Sequence, residues 1–335
     1  MQLLARENIS SHPILKSITQ AYNIKPENCF NIKSFIGFLK LLISKKSRYL
    51  IISDPLIYIL SKIFKSSSKV IFFSLELFEH QLPSKSFKEK IRHKVFFIAH
   101  RMALNGSNFV IFPNKVRLRY YLFNKILKNK NYLVVENLPS KEVLNEINKL
   151  NDFSKKELKD VFFQKFSIPN KFTNKKIMVY AGSLSVHRGI PNIVKMIEKS
   201  NEWLLIIAGN DKDCFFKNHD YKNLIFLGFI NKKDSLKLVK IADVQFSNYS
   251  NDLVNTRYCA PVKVYESIAL KTPFYVNKNY GVESLSIKTS IIYYENFNEL
   301  NDIDKEIGEL FKPVIPEIFD NYEENLFRLL KFEKC

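Results

Sequence analysis

The chain has 335 residues, 46% of them hydrophobic, and carries a formal net charge of +19. That length exceeds one typical core and suits two domains, while the apolar content excludes a disordered chain. No run reaches the roughly 18 uncharged apolar residues of a spanning helix, and the opening MQLLARENISSHPILK does not read as a signal peptide, because Arg6, Glu7 and His12 interrupt it.

Strand-like apolar runs come first at MQLLA, YLIIS (49–53), KVIFFSL (69–75), NFVIF (108–112) and YLVVEN (132–137). Helix-like stretches separate them: HPILKSITQAY, DPLIYILSKIF and KSFKEKIRHKVFFIAHRMAL. This alternation predicts a parallel sheet covered on both faces. The pattern pauses in a polar, Lys-rich connector, NDFSKKELKDVFFQKFSIPNKFTNKK. It restarts with IMVYAG (177–182), WLLIIAGN (203–210), LIFLGF (224–229), ADVQFSN (242–248), PFYVN (273–277) and SIIYYE (290–295). Two doubly wound α/β domains in tandem are predicted, one over 1–165 and one over 166–315. An amphipathic helix follows over 316–335, with Ile318, Tyr322, Leu326, Leu329 and Leu330 on its apolar face.

Cys29, Cys214, Cys259 and Cys335 are scattered, and neither they nor the six histidines cluster at ligand spacing. No metal site and no disulfide framework is expected, and a reducing cytoplasm fits. The charge is uneven. Between Pro83 and Lys130 stand twelve cations (Lys85, Lys88, Lys90, Arg92, Lys94, Arg101, Lys115, Arg117, Arg119, Lys125, Lys128, Lys130) against Glu89 alone. Either they solvate the surface of a Lys/Asn/Ile/Phe-rich protein, or, interleaved with aromatics, they mark a face for nucleic acid or anionic lipid.

In doubly wound sheets ligands bind beyond the carboxyl ends of the strands, so the residues there carry the chemistry. YAGSLSVHRGIPNIVKMI places Gly182 and Ser183 after a strand, Arg188 before a helix, and Pro191 in its first turn. A helix N-terminus with a guanidinium is an anion site, though such a turn also occurs for structural reasons. LIFLGF sets Gly228 and Phe229 after the next strands; Phe229 either flanks a planar base or packs under its loop. In RYCAPVKVYESIALKTPFYV, Pro261 starts a helix on which Lys263 and Glu266 lie one turn apart. The pair is either a surface ion pair or an ammonium for phosphate beside a carboxylate for a ribose diol.

Taken together, Gly-x-Leu…Arg-Gly-Ile, Leu-x-Phe-Leu-Gly-Phe and Pro-x-Lys-x-x-Glu-x-x-Ala-x-x-x-Pro resemble the donor domain of GT-B glycosyltransferases. The likeness is to the glycogen-synthase-like (group 1) family found in bacterial surface-polysaccharide pathways, and it covers residues 177 to about 285. It implies two Rossmann-like domains facing across a cleft, with the C-terminal helix crossing back to the first. It implies that Glu266 holds the donor ribose, that Arg188 and Lys263 face its diphosphate, and that Gly182, Ser183 and Phe229 complete the donor site. The first domain is less similar: SSHPILKSITQ resembles the segment after the family's first strand, and VIFFSLELFEH has Phe73 and Leu75 where members carry aspartate and histidine, while Glu76 is retained. The family's second acidic residue, eight positions before the ribose glutamate, is Tyr258 here; the arginine often following the phosphate-loop glycine is Ser183; and the glycine-rich loop after the first strand is absent.

The expected activity is transfer of a sugar from a nucleotide-diphosphate sugar to a lipid-linked glycan acceptor. Fixed cations and helix N-termini would stabilise the leaving diphosphate without metal or cofactor. The resemblance favours retention; an inverting reaction would need a base, for which Glu76 is the candidate. The expected location is cytoplasmic, peripheral on an anionic inner membrane face, with no nucleic-acid partner. A nucleotide-sugar 2-epimerase of the same fold and a basic nucleic-acid-binding protein are the alternatives.

Overall fold

The computed structural model describes residues 2–5, 29–31, 49–64, 68–77, 86–184, 188–211, 216, 221–249, 254–285 and 291–294. The helix expected over 316–335 lies outside them. The chain divides into two compact units, one taking Met1–Ser140 and Asp252–Ala260, the other Lys141–Asn251 and Pro261–Pro316.

Unit 1 holds strands β1 (Gln2–Ala5), β2 (Cys29–Asn31), β3 (Tyr49–Ile52), β4 (Lys69–Phe73), β5 (Phe109–Phe112) and β6 (Tyr132–Val134). They form one parallel sheet in the order β2-β1-β3-β4-β5-β6. Strand β2 has no counterpart among the apolar runs of the sequence. Helices α1 (Pro55–Phe64), α2 (Phe87–Gly106) and α3 (Lys115–Phe123) cover this sheet. Leu50, Ile52, Val70, Phe72, Ala103, Leu104, Val110, Phe112 and Tyr121 form its core.

Helix α2 starts in a capping box. Ser86 Oγ accepts from the Glu89 amide and Glu89 Oε2 from the Ser86 amide, satisfying two donors that would otherwise lack partners. Ala99, His100, Ala103 and Leu104 are its buried face. The opposite face is apolar too: Phe87, Ile91, Val95, Ile98 and Met102 are 47–77% exposed. At about 100° per residue these five fall on one stripe, with exposed Lys90, Lys94 and Arg101 along one flank and Lys88 and Arg92 along the other. Phe96 and Phe97 are half-buried.

One of the twelve cations does not belong to the surface. Arg117 is 3% exposed. Its Nη1 bonds to the carbonyl of Leu75, its Nε to that of Tyr258 (3.3 Å), and its Nη2 to Asn255 Oδ1 (3.2 Å). A buried guanidinium requires such acceptors, so Arg117 is a clamp inside the fold rather than a solvated charge. Of the others, Lys85 lies outside the described residues and the remaining ten are exposed.

Unit 2 holds β7 (Lys176–Ala181), β8 (Trp203–Ala208), β9 (Leu224–Phe226), β10 (Val244–Ser247), β11 (Phe274–Asn277) and β12 (Ile291–Tyr294), all parallel, in the order β12-β11-β10-β7-β8-β9. Read from β9, this is the 3-2-1-4-5-6 winding of nucleotide-binding sheets, with its reversal between β7 and β10. Every residue of β8 is buried, as a central parallel strand demands. The helices are α4 (Lys141–Asn151), α5 (Lys155–Lys165), α6 (Ile190–Glu198), α7 (Lys232–Ile241), α9 (Val262–Ala269) and α10 (Tyr280–Glu283); α8 (Val254–Arg257) belongs to unit 1.

The junction at Ser140/Lys141 precedes the expected 165/166. Part of the polar connector is α5, opened by a Ser154–Glu157 capping box and burying Leu158, Phe162 and Phe163. Bonds then tie α4 and α5 into unit 2: Lys165 to Asp234 (2.7 Å), Lys240 to Asn151 (2.7 Å), and Asn151 to the Ala269 carbonyl (3.0 Å).

Candidate donor-binding site

Three strand ends of unit 2 meet in a row of glycines. The Gly182 amide donates to the Ala208 carbonyl (2.9 Å), and the Gly209 amide to the Gly228 carbonyl (2.8 Å). A Cβ on Gly209 would overlap the Gly182 carbonyl oxygen, and φ is +159° at Gly209 and +152° at Gly182. Only glycine permits this approach, which leaves a shelf of bare backbone at the carboxyl edge of β7, β8 and β9. Gly209 escaped the sequence reading, although it stands directly after an apolar run, as Gly182 does.

Lys263 reaches this shelf from α9. Its Nζ donates to the Ala181 carbonyl (3.1 Å) and lies 4.9 Å above the Tyr180 ring. A Cβ at Gly182 would stand 2.9 Å from that Nζ. Tyr180 OH donates to the Ser183 carbonyl at 2.7 Å, fixing the loop that carries Ser183. Burial pushes the Tyr180 phenol up to about 12, against a smaller downward pull from Arg188. The cationic side of the site is therefore braced by a phenol that stays protonated.

Arg188 lies with Cζ 4.9 Å above the Tyr249 ring, a cation–π contact across the reversal between β7 and β10. Next to it Gly189 caps α6 at φ +65°, where a Cβ would meet Asn248 Nδ2 at 2.9 Å. Pro191 occupies the first turn of α6, as expected. The positive end of the α6 dipole and the guanidinium point to one anion-binding corner.

Glu266 is 6% exposed, in the second turn of α9. Its partner is Lys232, the first residue of α7, whose Nζ lies 2.6 Å from both carboxylate oxygens. The surface ion pair of Lys263 with Glu266 allowed by the sequence is thus replaced: each has its own partner on a different element. Lys232 was missed because a lysine in the first turn of a helix reads as an ordinary surface charge. Phe229, at 84% exposure, does not pack beneath its loop.

Unit 1 places Glu76 just beyond β4, where its Oε2 accepts from Asn255 Nδ2 (2.7 Å) and lies 3.7 Å from Arg117 Nη2. Asn255 Oδ1 also accepts the Leu77 amide (3.0 Å). Tyr258 packs its ring on Tyr120, with centroids 5.2 Å apart. Buried His100 lies 3.1 Å from Ser74 Oγ through Nε2 and packs against the rings of Phe72 and Tyr121. Among the described residues no three His, Cys, Asp or Glu side chains gather as a metal-holding group.

Residues 161–309 match the family model described as glycosyl transferases group 1. The two sheets give the chain the GT-B fold. Among solved structures it is similar to HepE of Anabaena in complex with UDP and glucose, at 11% identity and a TM-score of 0.62 over 99% of this chain and 100% of that one. It is also similar to UDP-GlcNAc 2-epimerase of Neisseria meningitidis bound to UDP-GlcNAc (12% identity, TM-score 0.60, 99% and 100% covered). A third is sucrose-phosphate synthase of Thermosynechococcus elongatus (13% identity, TM-score 0.58, 92% and 81% covered). No curated protein matches the sequence.

Proposed function

We propose that the protein is a glycosyltransferase that moves a sugar from a nucleotide-diphosphate sugar to a glycan acceptor, lipid-linked, in surface-polysaccharide synthesis. The observation that carries this is the gathering, at one edge of unit 2, of a glycine shelf, two cations and a buried carboxylate, on the segment matching the group 1 model. In this reading Glu266 grips the ribose diol, and Phe229 offers its exposed ring to the base. Gly182 and Ser183 bring backbone close to the diphosphate, whose growing negative charge Arg188 and Lys263 stabilise electrostatically, without metal or cofactor. The neighbours bound to UDP or UDP-sugars support a donor of this class.

Retention at the anomeric carbon is the proposed outcome. An inverting enzyme would use Glu76 as base, and the configuration of the product distinguishes the two. The epimerase shares the fold to the same degree, so donor turnover decides the class. Incubated with a panel of nucleotide-sugars, a transferase slowly releases nucleoside diphosphate and free sugar of unchanged identity. Release of the 2-epimer would overturn the proposal.

The proposed site of action is the cytoplasmic face of an anionic membrane. Among the described residues no helix is long and apolar enough to cross a membrane. The exposed stripe of α2, with cations on both flanks, supports peripheral attachment: apolar side chains enter the acyl boundary while lysines and arginines meet anionic headgroups.

A further inference from the structure

We infer that Lys232 is a displaceable plug on the ribose-gripping carboxylate, exchanged for the vicinal diol of the donor and thereby setting selectivity for ribose. The inference rests on the assignment of Glu266 under the proposed function.

A nearly buried carboxylate left without a partner is costly, so the empty site must neutralise Glu266. Among the described residues Lys232 does so alone, its single Nζ at 2.6 Å from both Oε1 and Oε2. That symmetric position is the one two adjacent hydroxyls would take, one on each oxygen. Ammonium and diol compete for it.

The two partners differ in how firmly they are held. The Glu266 side chain is 8% exposed, whereas that of Lys232 is 49% exposed on a flexible stem. Lysine can therefore swing into water at low cost while glutamate stays in place. Nor is Lys232 placed for the good of its helix, because a cation in the first turn of α7 opposes the helix dipole. Its neighbours there serve as staples: Lys233 reaches Glu146 of α4 at 3.6 Å, and Asp234 takes Lys165 of α5 at 2.7 Å. Lys232 alone of the three is paired with a residue of the donor site.

Removing the lysine leaves Glu266 unsatisfied in the free protein, and the ribose hydroxyls relieve it. Selectivity for ribose should then rise, contrary to what loss of an ordinary site cation would do. Any general weakening of diphosphate attraction cancels in a ratio of two ligands that differ only in the diol.

The experiment measures binding at pH 8 of UDP, ADP, GDP and CDP, then of the 2′,3′-dideoxy analogue of the tightest, to wild type, Lys232→Met, Lys232→Arg and Glu266→Gln, each first checked for a cooperative thermal transition. Wild type should prefer the ribonucleotide. Lys232→Met should raise that preference about tenfold, the order expected for a hydrogen-bonded charge discounted for its exposed partner. Lys232→Arg, which keeps a plug, should hold the preference at or below the wild-type value, and serves as the readout should the methionine variant not fold. An unchanged or lowered preference in Lys232→Met, or a raised one in Lys232→Arg, overturns the plug. If wild type binds both analogues equally, or Glu266→Gln leaves the preference intact, or no nucleotide binds, the ribose assignment itself falls and the plug with it.

Discussion

Arg117 donates from Nε to the backbone carbonyl of Tyr258, a residue 141 positions later in the chain. Asn114 donates to the same oxygen at 3.0 Å, so the carbonyl carries two bonds from one helix start. Tyr258 stands where the resembled family has a second acidic group. Here that position is held backbone-first in unit 1, its ring lying on Tyr120.

Arg117→Met is expected to strip the Leu75 carbonyl of its side-chain donor and leave the Tyr258 carbonyl with Asn114 alone. A loss of about 2–4 kcal/mol in unfolding free energy should follow, read as a lower urea midpoint. A change under 0.5 kcal/mol would mean that the clamp contributes little.

Glu266→Ala should weaken nucleoside diphosphate binding by about 1.5–3 kcal/mol, the usual value for hydrogen bonds to a charged group. Stability should change little, because the half-exposed Lys232 left behind can turn to water. Calorimetry decides it, and unaltered affinity would remove Glu266 from the site.

Arg188→Ala should depress turnover more than donor affinity, because the diphosphate gains charge in the transition state. Wild type should keep its activity in EDTA. A strict requirement for added divalent metal contradicts the proposed mechanism.

Tyr180 sets an alkaline limit. Burial pushes its phenol up to about 12, against an ordinary value near 10, so its contribution is complete below pH 10 and is lost as pH rises from 10 to about 12. The loss amounts to about 2–3 kcal/mol at most. Urea midpoints of Tyr180→Phe should fall less steeply across that window than those of wild type; parallel curves would refute the account.

The protein should sediment with vesicles containing anionic lipid, detach in about 0.5 M salt, where screening is short-ranged, and ignore neutral vesicles. Ile91→Glu with Val95→Glu should abolish sedimentation and spare donor hydrolysis. Tight binding of single-stranded nucleic acid at physiological salt, with vesicles ignored, would instead favour the nucleic-acid alternative.

How far the sequence could be read follows the range of the interactions. Eleven strands stood out as apolar runs because parallel strands are buried on both faces; β2 did not, since Cys-Phe-Asn is too short and mixed to show a pattern. Gly182, Arg188 and Glu266 could be singled out as candidates because they lie at fixed offsets within local motifs. The exposed stripe of α2 stayed hidden because apolar residues on two opposite faces blur helical periodicity. Arg117 read as one of a row of alternating cations because its acceptors on Tyr258 and Asn255 are 141 and 138 residues away. Lys232 was invisible for the same reason, its partner lying 34 residues on.

The excursion of Asp252–Ala260 into unit 1 has a consequence for synthesis. The ribosome completes Ser140 long before it adds Asn255, and about 110 residues of unit 2 intervene. At about 5–20 residues per second that interval lasts roughly 6 to 20 seconds. During it the acceptors for Arg117 at Tyr258 and Asn255 do not yet exist, and Glu76 lacks its amide donor. The first-made half of this protein is finished by its second, and a fragment ending at Ser140 would emerge with a guanidinium held by Leu75 but short of its acceptors on Tyr258 and Asn255.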